Sequence, residues 1–383
     1  ENGGTFELNN VNATIKGAAN ANDRGTAFYY VGSGVLPTLT TADLSSYFTS
    51  VFNNTASNLT LNMESGSRLF IVDNVSIDLS VTATPLGSIA GGPTVTGSSD
   101  YKTYMMYKSM LGIDQNISLD TATDAYNNLE IVTSSIYNNG YSITGSLTNQ
   151  VAMGQENGLD TLGFSLPRST VSLTNDGGTI TLSGASSVGM YASYGELRNT
   201  NSGIINVSGT GSIGMYGANG SLADNQAGSV INISSSGVGI YAEGYKQGTA
   251  QSFGDGKINI INSGLIQAGT STNAMGIYAN NNSTGNAADA QINLSNGTID
   301  LRASENAVGV FVDKGTVTDS GSTITVGKNG VALYAKDSSV TLSGSTINLF
   351  GDNSLGLYLD GTTSFTGSGN INIDGKNVVL FNM

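Results

Sequence analysis

The 383-residue chain has no cysteine, no histidine and no tryptophan. Without cysteine there is neither a disulfide framework nor a thiolate metal site, and without histidine the usual general base and the commonest transition-metal ligand are missing. Charge is scarce and one-sided: charged residues make up 11% of the chain, 14 of them basic against 28 acidic, for a net charge of −14. That balance excludes the clustered Lys and Arg by which proteins neutralise nucleic-acid phosphates. No apolar run reaches the roughly 18 residues a membrane-spanning helix needs. The absence of cysteine suits a chain that crosses an oxidising space unfolded. The chain opens on Glu1 rather than Met, which reads as a mature or excised segment.

What the sequence has is a repeated phrase of apolar, small, apolar and aromatic residues. The copies are Val188-Gly189-Met190-Tyr191, Ile213-Gly214-Met215-Tyr216, Val238-Gly239-Ile240-Tyr241, Met275-Gly276-Ile277-Tyr278, Val308-Gly309-Val310-Phe311, Val331-Ala332-Leu333-Tyr334, Leu355-Gly356-Leu357-Tyr358 and Val378-Val379-Leu380-Phe381. Their aromatics fall 25, 25, 37, 33, 23, 24 and 23 residues apart. A period of that size is the signature of a solenoid. The unit Val340–Leu359 holds three short alternating stretches, Val340–Leu342, Ile347–Leu349 and Leu355–Leu359, separated by Ser, Gly, Asn and Asp. Period-two alternation marks strands with one buried face, and the residues between them mark turns. Three strands per 23–25 residues predict an all-β, parallel β-helix. Ile180, Ile205, Ile231, Ile258, Ile324 and Ile371 head the equivalent middle strands.

Alternation places Leu355, Leu357 and Leu359 in the core and turns Gly356 and Tyr358 outward. The outward rings Tyr191, Tyr216, Tyr241, Tyr278, Phe311, Tyr334, Tyr358 and Phe381 then form a ladder. Its main reading is a stabilising stack, with a glycan- or protein-binding surface as the sharper one. Asn206, Asn232, Asn259, Asn348 and Asn372 form a second column, read as an amide ladder. The two long spacings predict enlarged corners at Tyr245–Asp255 and in the stretch NNNSTGNAADAQ.

The first 170 residues are less regular. Residues 1–81 predict coils with a short helix near 41–53, where Leu44, Phe48, Val51 and Phe52 recur at helical spacing. Residues 82–169 predict an inserted subdomain, and 170–383 a β-helix stalk truncated at its C-terminus. Within the inserted block, Tyr101, Tyr104, Met105, Met106, Tyr107, Met110 and Leu111 predict a helix apolar nearly all round. It is either buried against the solenoid wall or an adaptable contact surface. On the second reading the candidate partner-binding residues are Tyr101, Tyr104, Met105 and Tyr107, with Asp114, Asp120 and Asp124 supplying charge for a cationic ligand.

Asp313, Asp337 and Asp360 follow the aromatic strand and read as turn caps rather than as the converging carboxylates of a polysaccharide-cleaving β-helix. No metal or cofactor site is expected. From about residue 170 onward, Asn201-Ser202-Gly203-Ile204 and Asn262-Ser263-Gly264-Leu265, each followed by Gly-Met-Tyr or Gly-Ile-Tyr, carry a resemblance. The chain resembles the passenger of the large fusobacterial type V autotransporter adhesins, the RadD-like group. The resemblance implies a right-handed β-helix on the outer membrane, tethered through a translocator barrel that this sequence lacks. It further implies a non-enzymatic adhesin for coaggregation and host attachment, whose partners are protein or glycan receptors on other bacteria or host cells. A polysaccharide-cleaving enzyme and a structural spacer are the alternatives.

Overall fold

The computed structural model describes residues 5–20, 23–121, 125–156, 168–244, 257–281 and 290–383. It is an all-β protein built of long parallel sheets of stacked strands, a parallel β-helix. The chain divides into two compact units. Among the described residues, one holds those up to Ile117 with Thr121–Tyr137, and the other Ser118–Asp120, 138–156 and those from Arg168 to Met383.

The N-terminal unit is already coiled. Val11–Ile15, Leu59–Met63 and Thr94–Gly97 stack in parallel. So do Thr26–Val31, Arg68–Asp73, Lys102–Tyr107 and Leu129–Val132, and likewise Thr38–Leu39, Ser76–Asp78 and Met110–Ile113. The short helix occurs where its spacing predicts, over Thr41–Val51. Thr40 caps its N-terminus reciprocally with Asp43, which satisfies donors the first turn leaves open. Leu44 and Phe48 are buried, and the Phe48 ring meets Phe28 edge-on at 5.4 Å.

The Met/Tyr stretch is the main correction in this unit. It forms no helix: Lys102–Tyr107 and Met110–Ile113 are strands. Its apolar residues on both strand faces explain the misreading, because a strand buried on both sides carries no period-two signal. Burial on one face comes from stacking, with Tyr104 lying flat on Phe70 at 5.3 Å. Across the same strands Arg68, 5% exposed, makes a bidentate pair with Glu130, both bonds 2.7 Å.

In the C-terminal unit the coils are built of up to three long-sheet strands each, the second and third merging into one in the last coils. The first, which we call the ring strand, is Val188–Ser193, Ile213–Ala218, Val238–Glu243, Met275–Asn280, Val308–Asp313, Val331–Lys336 and Leu355–Asp360 in seven successive coils. A second strand follows, as in Glu196–Thr200 and Leu222–Asn225, then a third, as in Ile204–Val207 and Val230–Ile233. Each pairs in parallel with its equivalent one coil later. Where the sequence predicts separate strands at Val340–Leu342 and Ile347–Leu349, one strand runs through Ser339–Leu349. It bends at Gly344, whose φ of +69° favours glycine.

Leu357 and Ile347 are buried as expected, at 1% and 2% exposure. The glycine of the phrase is not where alternation puts it. Pairing runs from Val188↔Ile213 to Met190↔Met215 and skips Gly189. A residue that drops out of the ladder reverses the alternation after it. Gly356 is therefore buried and Leu355 only half-buried. The glycine faces across the coil onto the third strand: a Cβ on Gly239 would sit 2.5 Å from Ile266 Cγ2 and 2.6 Å from the Gly276 carbonyl oxygen. Gly189, Gly214, Gly276 and Gly309 face Ile205, Ile231, Ile299 and Ile324 in the same way. The repeated glycine and the repeated isoleucine are thus two halves of one contact.

A buried amide ladder runs up the second strand. Asn138 donates to Asn175 (2.9 Å), Asn175 to Asn199 (2.9 Å), Asn199 to Asn225 (3.0 Å) and Asn225 to Asn262 (2.8 Å). All five are buried. The third strand carries the outer ladder expected from sequence, in which Asn232 donates to Asn206 and Asn372 to Asn348. Asn259 does not belong to it. Asn259–Asn262 is a second strand, and the outer rung above Asn232 is Gln267, which donates to it at 2.7 Å. Ile266, not Ile258, fills the middle-strand position in that coil.

In the inner column Asn262 is followed by Leu294 and then Asp319. Asp319 is fully buried; Oδ1 accepts from the Ser322 amide at 3.1 Å, while Oδ2 has no hydrogen-bond partner. An unpaired polar atom in the core costs about 1–3 kcal/mol. Stability is read from thermal or denaturant unfolding. Gly239→Ala should lower it by about 1–3 kcal/mol, because backbone and Ile266 close in on the added methyl. An unchanged melting temperature for Gly239→Ala would refute the glycine–isoleucine contact.

Candidate functional site

The structure disperses the residues expected to bind a partner in the N-terminal stretch. Tyr104, Met105 and Tyr107 are 1%, 7% and 4% exposed and lie within the stacked strands, so they offer no surface. Tyr101 is half-buried. Asp114 is occupied with the short helix Leu79–Thr82, accepting from the Ser80 amide at 3.0 Å and from the Ser80 hydroxyl. Asp120 is exposed and gathers the Ser146 amide (2.9 Å), the Ser146 hydroxyl (2.7 Å) and Gln150 Nε2 (2.9 Å). Asp124 lies outside the described residues.

The outward rings do converge. Centroids stand 5.3 Å apart for Tyr191–Tyr216, 4.8 Å for Tyr216–Tyr241, 5.2 Å for Tyr241–Tyr278 and 4.7 Å for Tyr278–Phe311. Phe311–Tyr334 and Tyr334–Tyr358 follow at 5.1 and 4.6 Å. The rings from Tyr241 to Phe311 are stacked flat, while Tyr216 and Tyr334 stand edge-on to their neighbours. Flat stacking hides the ring faces from Tyr241 to Phe311 between neighbours, while the perpendicular rings of Tyr216 and Tyr334 interrupt the stack. It starts at Tyr191, opposite Gly154 on the preceding strand. It ends at Tyr358, because Phe381 pairs with Leu357 and meets Phe365 at 5.9 Å instead. The eighth ring of the sequence pattern is off the ladder: Val379, not Val378, pairs with Leu355, so Phe381 takes the place of Leu357 and Asn382 the ring position opposite Tyr358.

The same phase reversal creates a feature that sequence reading missed. Val188, Ile213, Val238, Met275, Val308, Val331 and Leu355 are paired in one column and half-buried. Three residues before each ring, they would point inward in an unbroken strand. With the small residue after each of them out of the ladder, they share the outer face with the rings. The available signal was a small residue, glycine in six copies and Ala332 in the seventh, placed between two apolar residues.

Carboxylates border this stripe. Tyr216 donates to Glu243 at 2.8 Å, Tyr241 to the same carboxylate at 3.4 Å, and Tyr334 to Asp360 at 3.3 Å. Burial first, and then the Glu243 charge, push the Tyr241 hydroxyl up to about 12, and the Tyr216 hydroxyl is raised for the same reasons. Both remain neutral donors at physiological pH. Asp313 and Asp360 close ring strands rather than turn corners. Only Asp337 behaves as a turn cap, accepting from the Thr362 amide at 2.9 Å and its hydroxyl at 3.1 Å. Among the described residues no three acidic side chains gather as a metal site. The long spacings fall between a ring strand and the next second strand; residues 245–256 and 282–289 lie outside the described residues.

No protein-family description, curated protein or solved structure matches the chain.

Asp120 generates a pH prediction. Its hydrogen bonds, the Ser146 hydroxyl first, hold the carboxyl down to about 2. A depressed folded value stabilises the Ser146–Gln150 turn fully above the unfolded value near 4, and that support is lost as pH falls through about 2. The Asp120 carboxyl should titrate near 2 by carbon-detected NMR; a midpoint near 4 would show that these bonds do not form in solution.

Proposed function

We propose that this chain is a non-enzymatic adhesin passenger, displayed on an outer membrane and binding surface receptors of other bacteria or of host cells. The observation that carries this reading is the outer stripe of the C-terminal unit. Seven coils repeat one apolar side chain and one aromatic ring, bordered by Glu243, Asp313 and Asp360. Contiguous apolar surface rimmed by polar groups is characteristic of interaction sites. A motif repeated coil after coil supports shallow, multivalent attachment, in which many weak contacts act together. The acidic border and the net charge of −14 favour a basic receptor patch. The resemblance of the repeat phrases to fusobacterial autotransporter passengers is consistent with this role and with export to the cell surface.

The burial of Tyr104, Met105 and Tyr107 moves the proposed contact away from residues 82–169 and onto the coils. Thr is β-branched like Val and Ile and keeps the strand, so the triple variant Ile213→Thr, Val238→Thr, Val308→Thr tests the stripe with little change to the fold. Attachment to partner bacteria or host cells should fall about tenfold, with an unchanged circular dichroism spectrum, and wild-type attachment should weaken as salt rises. Full attachment by the triple variant would sink the proposal.

A further inference from the structure

One carboxylate of the C-terminal unit holds two tyrosines of the ladder at once. Glu243 Oε1 accepts from the Tyr216 hydroxyl at 2.8 Å, and Oε2 accepts from the Tyr241 hydroxyl at 3.4 Å. The two rings stand edge-on with centroids 4.8 Å apart, within the usual range for interacting aromatic pairs. Glu243 follows Tyr241 by two residues on the same strand, so both side chains leave the same face, and pairing sets Tyr216 opposite Tyr241 on the neighbouring coil. All three side chains are half-buried: the coils hold the hydrogen bonds, yet dissolved molecules reach the rings.

The arrangement suits the loss of an electron. A phenol that gives up one electron becomes a radical cation, which is a strong acid, and the oxidation is unfavourable unless a base takes the proton in the same step. The base must already lie within hydrogen-bond reach of the hydroxyl, which is where Glu243 stands. Burial, and then the Glu243 charge, push the Tyr241 hydroxyl up to about 12, so the phenol keeps its proton at neutral pH until an electron is taken.

We propose that Tyr216, Tyr241 and Glu243 form a redox-active site, which yields one electron to an outer-sphere one-electron oxidant and shares the resulting radical between the two rings. The electron leaves Tyr216 and reduces the oxidant, while the phenolic proton passes to Glu243 Oε1. A neutral tyrosyl radical is left beside a neutral acid. The radical then moves one rung: Tyr241 gives an electron to the Tyr216 ring and its proton to Oε2, as Oε1 returns its proton to the Tyr216 oxygen. Neither step leaves an uncompensated ion on the half-buried rings. This chemistry does not rest on receptor attachment.

The test exposes the full chain to tris-bipyridine ruthenium(III) generated by a light flash, with a nitroso spin trap present, and maps the trap adducts by mass spectrometry. Tyr29, whose hydroxyl donates to Asp73 at 2.7 Å in the N-terminal unit, is the internal standard. Tyr358, whose hydroxyl has no hydrogen-bond partner among the described residues, is the comparison on the ladder. Normalised to Tyr29, Tyr216 and Tyr241 should carry about tenfold more adduct than Tyr358. Glu243→Gln keeps the size and an acceptor oxygen but removes the base, and should lower the adducts at both rings about tenfold with an unchanged circular dichroism spectrum. Tyr241→Phe keeps the ring and ends the sharing, so adduct at Tyr216 should rise. The proposal is overturned if Tyr216 and Tyr241 are labelled no more than Tyr358, if Glu243→Gln is labelled as the parent chain is, or if Tyr241→Phe leaves the Tyr216 yield unchanged.

Discussion

The structure depends on one constraint: in the stacked parallel coils each side chain lies about 4.8 Å above its own equivalent. Whatever occupies a column must therefore tolerate itself as a neighbour. Aliphatic side chains do, and so do rings. Asparagine does because one amide both donates and accepts, which lets Asn138, Asn175, Asn199, Asn225 and Asn262 stay buried without an orphaned rung between them. Carboxylates do not, since like charges directly opposite repel. The column at the end of the ring strands obeys this rule: Glu243, Asn280, Asp313, Lys336 and Asp360 succeed one another, with a neutral or basic residue separating each pair of acids.

Stacking also ties the interior to the surface. Gly239 must be small because Ile266 fills the coil from the third strand, and its departure from the ladder turns Val238 outward. One packing contact inside thus sets the chemistry displayed outside. The coils of the C-terminal unit differ little in this respect, which is why a single phrase recurs through the sequence. Stability in such an array is the sum of each coil's own contribution and its contacts with the next.

Much of this was legible in the sequence. The ring phrase, the Ile-x-Leu or Ile-x-Ile pattern of the third strand and the helical spacing of Leu44, Phe48, Val51 and Phe52 gave the coils and the helix, because each carries its own period. Three things were not legible. Gly356 and Leu355 were assigned to the wrong faces, since strict alternation has no way to register a residue that leaves the ladder. Asn259 was assigned to the wrong strand because an Ile-Asn-Ile triplet serves two different columns. The Met/Tyr stretch read as a helix because strands buried on both faces lose their alternation, and the coil in which Tyr104 stacks on Phe70 becomes visible only in the pairing. The candidate site followed the same division: the rings were found from sequence, while the apolar column beside them depends on the misplaced glycine.

The inner amide ladder has an end, and the end matters mechanically. Above Asn262 the column passes to Leu294, which offers no amide, so the chain of side-chain hydrogen bonds linking successive second strands stops there. Below that seam, neighbouring coils are joined by backbone ladders, apolar packing and a buried amide rung; above it the amide rungs are exposed ones, from Asn329 to Asn306, Asn353 to Asn329 and Asn377 to Asn353. A protein held at one end and pulled at the other distributes load across such junctions in series, and series junctions yield at the weakest. Traction along the stacking direction would therefore load buried rungs below Leu294 and water-exposed ones above it, and water competes for the exposed rungs.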